Sequence, residues 1–344
     1  MRSAIGLTAI ALVGCNTMAY DKSDHFDGSR FFNPGVKVDK GLLDVLKWQL
    51  AGGKAEWPDE VQNTAVPKIA EKVEPGKLHV TWVNHASHLL QFSSKEKSAF
   101  NVITDPVFSK RVSPVTWAGP ARVRPPGVAF EALPKIDVVV VSHNHYDHMD
   151  LDSLERLAKA FDPLFVVPLG NQRILNDIGI KKVVELDWWQ SHDLPGGERI
   201  TVAQAQHWSS RSITDRNKAL WGAFVVTGSD GLKAYFGGDT GYGGHFAEAK
   251  KRYGPMDVSL LPIGAYEPRW FMEKQHMNPA DAVKAHVDLE SRLSLGSHHS
   301  CFQLTNEAIG DPAKHLAEAL AEMKVEPARF QAPETGATVV YSKN

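Results

Sequence analysis

The sequence is poor in cysteine, in net charge and in long apolar runs, and each shortage excludes a class of protein. With two cysteines in 344 residues, no disulfide framework is expected. A net charge of −2 gives no electrostatic reason to expect nucleic acid as a partner. The apolar segment at residues 4–13 is too short to span a bilayer. The sequence has no internal repeat or low-complexity tract, and 43% hydrophobic with 23% charged residues is typical of a globular protein.

Histidine, by contrast, is abundant, and the most informative histidines follow a run of valines. Residues 136–141 are apolar and β-branched except for Asp137, and they come after Pro134, a pattern that predicts a buried strand. The residues after this strand include three imidazoles and a carboxylate: His143, His145, Asp147 and His148. The strand therefore delivers four titratable side chains into a loop at the edge of a sheet.

The spacing of these side chains separates them into two pairs. His143 and His145 are two residues apart, so in extended chain they point to the same side, whereas Asp147 and His148 fall where the chain has begun to turn. The first pair suits one metal ion and the second pair suits another nearby, and such donors favour Zn²⁺ over Mg²⁺ or Ca²⁺. Buried structural histidines are the disfavoured alternative, because an apolar strand end has no packing reason to gather this desolvation cost.

The segment from His143 to His148 resembles the signature of the metallo-β-lactamase superfamily, in which further ligands come from later strand ends. Three later segments match the expected order, and they end in His207, in Asp239, and in His298 with His299. The resemblance implies two zinc ions per chain, or another divalent transition metal, with these ligands: His143, His145 and His207 for the first, Asp147, His148 and His298 for the second, and Asp239 as the bridge.

The last ligand is either His298 or His299. In the family a small residue and a phenylalanine follow this ligand by three to four positions, and Cys301-Phe302 fits that spacing from His298. Since adjacent residues at a strand end face opposite ways, we expect His298 to face the metals. Cys301 is expected to be a small buried residue near the site.

The superfamily resemblance also implies the fold. It predicts an α/β chain arranged as a metallo-β-lactamase-like four-layer αββα sandwich over residues 78–344, preceded by a tether and N-terminal extension at residues 16–77. Helical patterns occur at 41–50, 151–160, 171–178, 244–253, 279–289 and 312–323. Asn278 and Asp311 are the expected N-caps of the last two helices.

Six motifs resemble N-acyl-phosphatidylethanolamine-hydrolysing phospholipase D and its bacterial relatives. They occur in order along the chain: Trp-Val-Asn-His-Ala-Ser at 82–87, Thr-Asp-Pro at 104–106, Glu-Leu-Asp-Trp-Trp at 185–189, His-Trp-Ser-Ser-Arg at 207–211, Gly-Asp-Thr-Gly-Tyr at 238–242 and Gln-His-Met-Asn-Pro at 275–279. The resemblance implies a zinc-dependent phosphodiesterase that hydrolyses the headgroup side of (N-acyl-)phosphatidylethanolamine-like lipids with a metal-bridging hydroxide.

The same resemblance implies roles for residues beside the metals. Asp147 would orient the hydroxide, and His276 would contact the phosphate or help the leaving group. Arg211, four residues after His207, is expected to orient neighbouring groups rather than to catalyse. Tyr146 is expected either to contact the substrate or to pack beside the site.

Two other functions remain open. The His-Ala-Ser and Asp-Pro elements also resemble, more distantly, lactone hydrolases of this superfamily, so a hydrolase of a lactone or another soluble ester is one alternative. The other is a non-enzymatic metal-binding lipoprotein of the cell envelope. The sequence does not indicate an oligomeric state.

The N-terminus resembles a bacterial lipoprotein signal. Arg2, the apolar segment 4–13 and the Leu-Val-Gly-Cys that ends at Cys15 match the charge, apolar core and lipobox of such a signal over residues 1–15. Cys15 would then be the lipidated first residue of the mature chain and attach it to a membrane surface. Asn16 resembles the sorting pattern for the outer membrane, facing the periplasm. The alternative is the apolar N-terminus of a cytosolic protein.

Residues 106–126 form a long segment without a clean period, and such segments in compact domains tend to be functional. Its cations, which are interleaved with Phe108 and Trp117, are Lys110, Arg111, Arg122 and Arg124. Cationic and apolar side chains together suit a lipid headgroup surface, and a solvated loop is an equal alternative.

Overall fold

A computed structural model describes residues 20–38 and 40–343, so the predicted signal peptide and Cys15 lie outside the described residues. The helices are α1 (Leu42–Ala51), α2 (Leu151–Phe161), α3 (Gln172–Asp177), α4 (His245–Tyr253), α5 (Arg269–Met272), α6 (Pro279–Asp288) and α7 (Asp311–Met323). The strands are β1 (Lys77–Asn84), β2 (Ser87–Phe92), β3 (Phe100–Thr104), β4 (Val138–Val140), β5 (Leu164–Pro168), β6 (Val183–Leu186), β7 (Ser191–Asp193), β8 (Arg199–Ala203), β9 (Ala223–Thr227), β10 (Lys233–Phe236), β11 (Val258–Pro262), β12 (Leu293–Ser297), β13 (Phe330–Gln331) and β14 (Thr338–Ser342).

These strands form two seven-stranded sheets with the same internal pattern. The first has the order β14-β1-β2-β3-β4-β5-β6, and the second has the order β13-β12-β11-β10-β9-β8-β7. In the first sheet the strands from β3 to β6 are parallel, and in the second sheet those from β10 to β13 are parallel. The remaining pairs are antiparallel. Since β14 follows β13 in the chain but pairs with β1, the last strand ties the second half to the first sheet.

The valine run shows how the layers pack. The even-numbered valines of β4 belong to the same buried apolar cluster as Phe224 of the second sheet. Val139 and Val141 belong instead to the cluster of Leu154 and Leu175, from α2 and α3. Successive side chains of a strand point to opposite faces, so the first sheet is covered by the second sheet on one face and by helices on the other.

The second sheet is covered in the same way on its outer face. Phe246 of α4, Val283 of α6 and Leu316 of α7 are buried in the apolar cluster that contains this sheet. The predicted four-layer αββα sandwich is therefore confirmed. Among the described residues, no helix combines the length and the hydrophobicity that a bilayer span requires.

Most of the predicted helices occur within a residue or two of the expected bounds, and one predicted cap was wrong. Asn278 caps α6, since its side chain accepts a hydrogen bond from the Asp281 N–H at 2.8 Å. Asp311 is not the N-cap of α7 but its first residue, after Gly310. Its carboxylate accepts a hydrogen bond from the Ala308 N–H at 2.8 Å, so it stabilises the preceding turn instead.

The described part of the N-terminal extension is attached to the sandwich by specific contacts. The Tyr20 hydroxyl donates to Glu185 at 2.9 Å, and the Nε2 atom of His25 lies 2.7 Å from the Asp187 carboxylate. The His25 ring also stacks on Trp188, with 4.4 Å between ring centroids. The motif at residues 185–189 thus anchors the extension.

The packing between the sheets generates a stability prediction. Leu90 of β2 is completely buried in the inter-sheet cluster, so Leu90→Ala should lower the free energy of unfolding by about 2–5 kcal/mol, measured by urea denaturation. The matched control is Leu50→Ala, because Leu50 is 85% exposed and its loss should cost less than about 0.5 kcal/mol. Equal effects of the two substitutions would contradict the assignment of the core.

Candidate metal centre

The candidate site lies where strand ends of the two sheets meet. His143 and His145 follow β4 of the first sheet, whereas His207, Asp239 and His298 come after β8, β10 and β12 of the second sheet. The structure brings all seven predicted ligands together in overlapping clusters of possible donor atoms. Each of these side chains follows a buried strand in the sequence. Packing fixes the position of that strand in its sheet, and the strand end in turn fixes the position of the side chain.

The first cluster contains three imidazoles and a carboxylate. The Nδ1 atom of His145 lies 2.8 Å from Nε2 of His143 and 3.3 Å from Nε2 of His207. The Oδ2 atom of Asp239 lies 3.9 Å from the His143 nitrogen and 3.8 Å from the His207 nitrogen. These four donor atoms all lie within 4.8 Å of one another.

The second cluster is centred on the Asp147 carboxylate. Its Oδ2 atom lies 3.3 Å from Nε2 of His148 and 3.3 Å from Nε2 of His298. The Asp239 carboxylate also reaches both of these imidazoles, with Oδ2 at 3.2 Å from His148 and Oδ1 at 3.2 Å from His298. Asp239 therefore contacts both clusters and occupies the position predicted for a bridge.

Two glycines allow the strand ends to converge. Gly238 has a φ of +56°, and a Cβ atom there would lie 2.6 Å from the Cβ of Ser142, next to His143. A Cβ atom on Gly264 would lie 2.1 Å from the carbonyl oxygen of His298. Because a side chain at either position would meet the backbone or Cβ that places a ligand, these positions require glycine.

His85 is a member of the second cluster that sequence reasoning missed. Its Nε2 atom lies 3.1 Å from Oδ2 of Asp147, and its ring is buried. In the sequence it is distinguished only as part of the Trp-Val-Asn-His-Ala-Ser motif. Its position directly after β1 was the available signal, since the other ligands also follow strands.

Asp105 is the second residue that was missed. Its Oδ2 atom lies 2.6 Å from Nδ1 of His148, and its carboxylate accepts hydrogen bonds from the Ser142 N–H and hydroxyl at 2.7 and 2.6 Å. Burial raises the pKa of Asp105, and the hydrogen bonds oppose that increase. With its Nδ1 held in this way, His148 directs Nε2 toward Asp147 and Asp239.

His298 and His299 face opposite ways, as expected for adjacent residues. His298 has a φ of +61° and donates its backbone N–H to the His85 carbonyl at 2.9 Å. His299 packs on the Trp82 ring at 4.6 Å and contacts the Ser300 hydroxyl at 2.8 Å through Nδ1. Of the two, His298 is therefore placed in the cluster.

Cys301 lies near the site but is engaged elsewhere. It is buried with Val107, Val112 and Phe302, and its Sγ atom accepts a hydrogen bond from Arg122 at 3.1 Å. Arg124 donates to the Ser300 carbonyl at 3.3 Å. Two of the four cations in the segment 106–126 thus hold the chain after His298.

Burial and neighbouring charges keep the imidazoles of the first cluster in the neutral form. Burial lowers the pKa of His143 and of His207 well below the ordinary value, and it lowers the pKa of His145 to about 4. An unprotonated imidazole is the form that binds a metal.

In the second cluster the carboxylates have a larger effect than burial on the pKa of His298. Burial opposes protonation of His298, but Asp239 and Asp147 outweigh it and raise its pKa to about 9. Burial also opposes ionisation of Asp239 and Asp147, and the neighbouring imidazoles reverse this and hold both pKa values well below the ordinary range. Two ionised carboxylates among imidazoles are a site for divalent cations.

The arrangement of the donor atoms suits metal coordination better than it suits hydrogen bonding among these side chains. The Asp239 Oδ1 and His148 Nε2 atoms are buried and have no hydrogen-bond partner among the described residues, although each lies within 3.2 Å of an oppositely charged or polar atom. Side-chain atoms that lie close together without hydrogen-bond alignment are expected where several metal ligands converge on one centre. Imidazole nitrogen together with carboxylate oxygen is a ligand set typical of zinc.

His276 is placed at the edge of the clusters. Its Nδ1 atom lies 3.8 Å from Oδ2 of Asp239, is buried and has no hydrogen-bond partner in the described part of the chain. Burial lowers the pKa of His276 to about 4. The side chain is therefore an uncharged polar group that faces the space beside the candidate bridge.

Arg211 and Tyr146 support the ligand loop from outside. Arg211 donates to the carbonyls of Asn144 and Met149 at 2.9 and 2.8 Å, which fixes the loop that carries His145, Asp147 and His148. Its guanidinium lies 4.1 Å from the centroid of the Tyr146 ring, and the Tyr146 hydroxyl donates back to the Arg211 carbonyl at 2.8 Å. A cavity of about 370 Å³ opens beside the two side chains.

Asn33, in the N-terminal extension, holds the backbone of a candidate ligand. Its Nδ2 atom donates to the His207 carbonyl at 2.8 Å, and its Oδ1 atom accepts from the His207 N–H at 3.2 Å. The His207 ring is fixed separately, through contact of Nδ1 with the Gln275 carbonyl at 2.9 Å. The extension therefore takes part in building the first cluster, which the sequence did not indicate.

Comparison with known proteins gives a consistent family. The sequence model described as the β-lactamase superfamily domain matches residues 100–299, a range that contains all seven candidate ligands. The chain is 38% identical to an uncharacterized protein of Mycobacterium tuberculosis over 290 residues, which are 82% of this chain and 74% of the relative. It is 37% identical to N-acyl-phosphatidylethanolamine-hydrolyzing phospholipase D 1 of Caenorhabditis elegans, over 71% of this chain and 70% of the relative.

The solved structures agree on the fold. A possible metal-dependent hydrolase from Veillonella parvula superimposes with a TM-score of 0.60 at 16% identity, over 76% of this chain and 98% of the other. At this identity the similarity establishes the arrangement of the two sheets and helices.

The Asn33 clamp generates a prediction about metal affinity. Asn33→Ala should leave two buried backbone groups of His207 unsatisfied and weaken zinc binding to the first cluster by about 10–100-fold, measured by competition with a chromophoric chelator. The control is Asn63→Ala, because Asn63 in the same extension bonds the Pro125 carbonyl at 2.9 Å and does not touch His207. Unchanged zinc affinity in Asn33→Ala would show that the clamp has no part in the site.

Proposed function

The chain belongs to the metallo-β-lactamase superfamily and is a metal-dependent hydrolase, and from this premise we propose that it is a zinc-dependent phosphodiesterase of the phospholipase D type. The proposed substrate is an (N-acyl-)phosphatidylethanolamine-like lipid, cleaved on the headgroup side. The observation that carries the chemistry is the Asp239 carboxylate between two clusters of imidazoles. The similarity to the relative of C. elegans supports the substrate class.

Two divalent ions, proposed to be zinc, account for the two clusters. His143, His145 and His207 would hold the first, and Asp147, His148 and His298 would hold the second, with Asp239 shared. Bound there, such ions lower the pKa of water toward neutrality and stabilise the charge on a phosphodiester. His85 lies close enough to Asp147 to orient that carboxylate.

The residues of the chain then supply orientation and hydrogen bonds. Asp147 has the more exposed of the two central carboxylates, at 14% against 2% for Asp239, so its oxygens are the ones accessible to an attacking water. His276 offers an uncharged ring nitrogen beside Asp239, from which it contacts the phosphate or helps the leaving alkoxide. Arg211 keeps the ligand loop in place, and Tyr146 is one of the residues that line the cavity.

We further propose that the mature chain is anchored in the bacterial cell envelope. The support is the sequence of residues 1–15, with Cys15 as the lipidated residue and Asn16 favouring the outer membrane, facing the periplasm. Residues 16–77 would connect the anchor to the hydrolase domain at 78–344. This location places the site next to phospholipid.

The activity is tested on mixed vesicles. With zinc, the protein should release phosphatidic acid from N-acyl-phosphatidylethanolamine and from phosphatidylethanolamine, measured by thin-layer chromatography, and His145→Ala should abolish release and lower metal content to about half. His192→Ala is the matched control, because His192 lies on the edge strand β7, away from the clusters. Failure to form phosphatidic acid, with hydrolysis of a lactone panel instead, would assign the site to a soluble ester.

The role of His276 is tested separately from the metals. His276→Gln should lower kcat by about 10²–10³-fold, because a positioned hydrogen-bonding ring beside the reacting phosphate is lost, while the metal content measured by atomic emission stays unchanged. Loss of metal in this variant would make His276 a ligand rather than a phosphate or leaving-group contact.

The anchor is tested by labelling. Cells that express the full chain should incorporate radioactive palmitate into the protein, and Cys15→Ser should abolish this incorporation. Cys301→Ser is the control, because that thiol is buried. An unlabelled parent protein in the cytosol would exclude the anchor.

A further inference from the structure

Helix α1 has an apolar face that no described part of the chain covers. Leu43, Leu46 and Leu50 are 81%, 55% and 85% exposed, and their spacing of three, four and seven residues puts them on one side of the helix. Single exposed leucines are common on protein surfaces. Three on one face of a ten-residue helix form a continuous patch, and such patches mark interaction sites.

The helix is held by its opposite side. The ring of Trp48 packs on Phe271 of α5 with 5.0 Å between centroids, and its Nε1 atom donates to the Asn306 side chain at 2.9 Å. A ten-residue helix is only marginally stable alone in water, so these contacts keep α1 in place. Anchoring through Trp48 leaves the three leucines directed outward.

The apolar face is flanked by cations and a tryptophan. The Nζ atoms of Lys47 and Lys40 lie 4.8 and 5.2 Å from the centroid of the Trp270 ring, which is 39% exposed. The acidic residue of the helix, Asp44, accepts a hydrogen bond from the Gly41 N–H at 2.9 Å and so serves as a cap. Leucine with lysine and tryptophan is the composition of a helix that lies in a lipid–water interface.

The face is also close to the candidate active site. Helix α5, on which α1 packs, leads directly to His276, whose N–H donates to the Met272 carbonyl at 2.8 Å. Arg269 of the same helix donates to the His276 carbonyl at 2.9 Å. A surface bound to α1 is therefore one short helix away from the rim of the metal clusters.

We propose that α1 docks the protein on an anionic phospholipid bilayer, with Leu43, Leu46 and Leu50 in the headgroup boundary. The inference rests on the proposed function, because a lipid surface is where the proposed substrate lies. Lys40 and Lys47 complement anionic headgroups, whereas a second copy would bring the same cations together. Three leucines also offer much less than the roughly 800 Å² per partner that a stable dimer buries.

The test uses the full chain with Cys15→Ser, so that no lipid anchor contributes, and sedimentation with vesicles of phosphatidylethanolamine and phosphatidylglycerol. The triple variant Leu43→Glu, Leu46→Glu, Leu50→Glu should lower partition to the vesicles by at least about 100-fold. The double variant Val287→Glu, Val340→Glu is the control, because these side chains are 54% and 48% exposed on other elements, and its partition should equal that of the parent.

The charge is tested with Lys40→Gln and Lys47→Gln. Together they should remove the preference for phosphatidylglycerol over phosphatidylcholine vesicles, an effect that high salt should reproduce in the parent. Circular dichroism of every variant verifies that the fold is retained. Leu43, Leu46, Leu50 and Lys47 are exposed, so no loss of structure is expected at these positions. Lys40 is half-buried and donates to the Trp270 carbonyl at 2.9 Å, and Gln keeps a side-chain N–H donor there.

Three results would overturn the docking proposal: a parent that binds no vesicles, a triple variant that binds like the parent, or a triple variant that changes only the oligomeric state. Hydrolysis of a short-chain phosphodiester below its micelle concentration is measured on the same variants. Parent and triple variant should be equally active there. A parent inactive on that soluble substrate would contradict the proposed function, whereas the docking proposal is decided by vesicle binding alone.

Discussion

The carboxylate of Asp239 makes the contact on which the site depends. It lies between imidazoles from both sheets, within 3.2 Å of His148 and His298 and within 3.9 Å of His143 and His207. So much buried charge and polarity in one place is costly unless the groups neutralise one another or hold a cation. The packing of two sheets on each other supplies the compensation, because it brings the ends of separate strands to one edge and holds them there.

The sequence predicted those parts of this arrangement whose residues lie close together in the chain. The segment from His143 to His148 is visible because a valine run and its ligands are adjacent in the chain, and later strand ends could be matched to a familiar order. His85 and Asp105 were not predicted, since their importance comes from lying beside Asp147 and His148. Only the order of the paired strands β1-β2-β3-β4 in the first sheet establishes that proximity.

The same reasoning explains the smaller differences. Arg122 and Arg124 were visible as charge in a segment without a period, but their hydrogen bonds to Cys301 and Ser300 are long-range contacts that composition does not reveal. Asp311 was expected as a cap, because a short acidic residue before Pro312 suits that role. It begins the helix instead, since its carboxylate is used by the preceding turn. The periodicity of apolar residues thus predicted where the helices lie, whereas tertiary hydrogen bonds determine the caps and the contacts of individual side chains.

The N-terminal extension connects these observations. Its Asn33 holds the His207 backbone, and its helix α1 packs on the short helix that leads to His276. A segment that served only as a spacer would have no reason to bury an asparagine against a metal-ligand candidate on one side and to place an anchored helix beside the rim on the other. The extension is therefore a structural part of the site, because it contacts the segments that carry both His207 and His276.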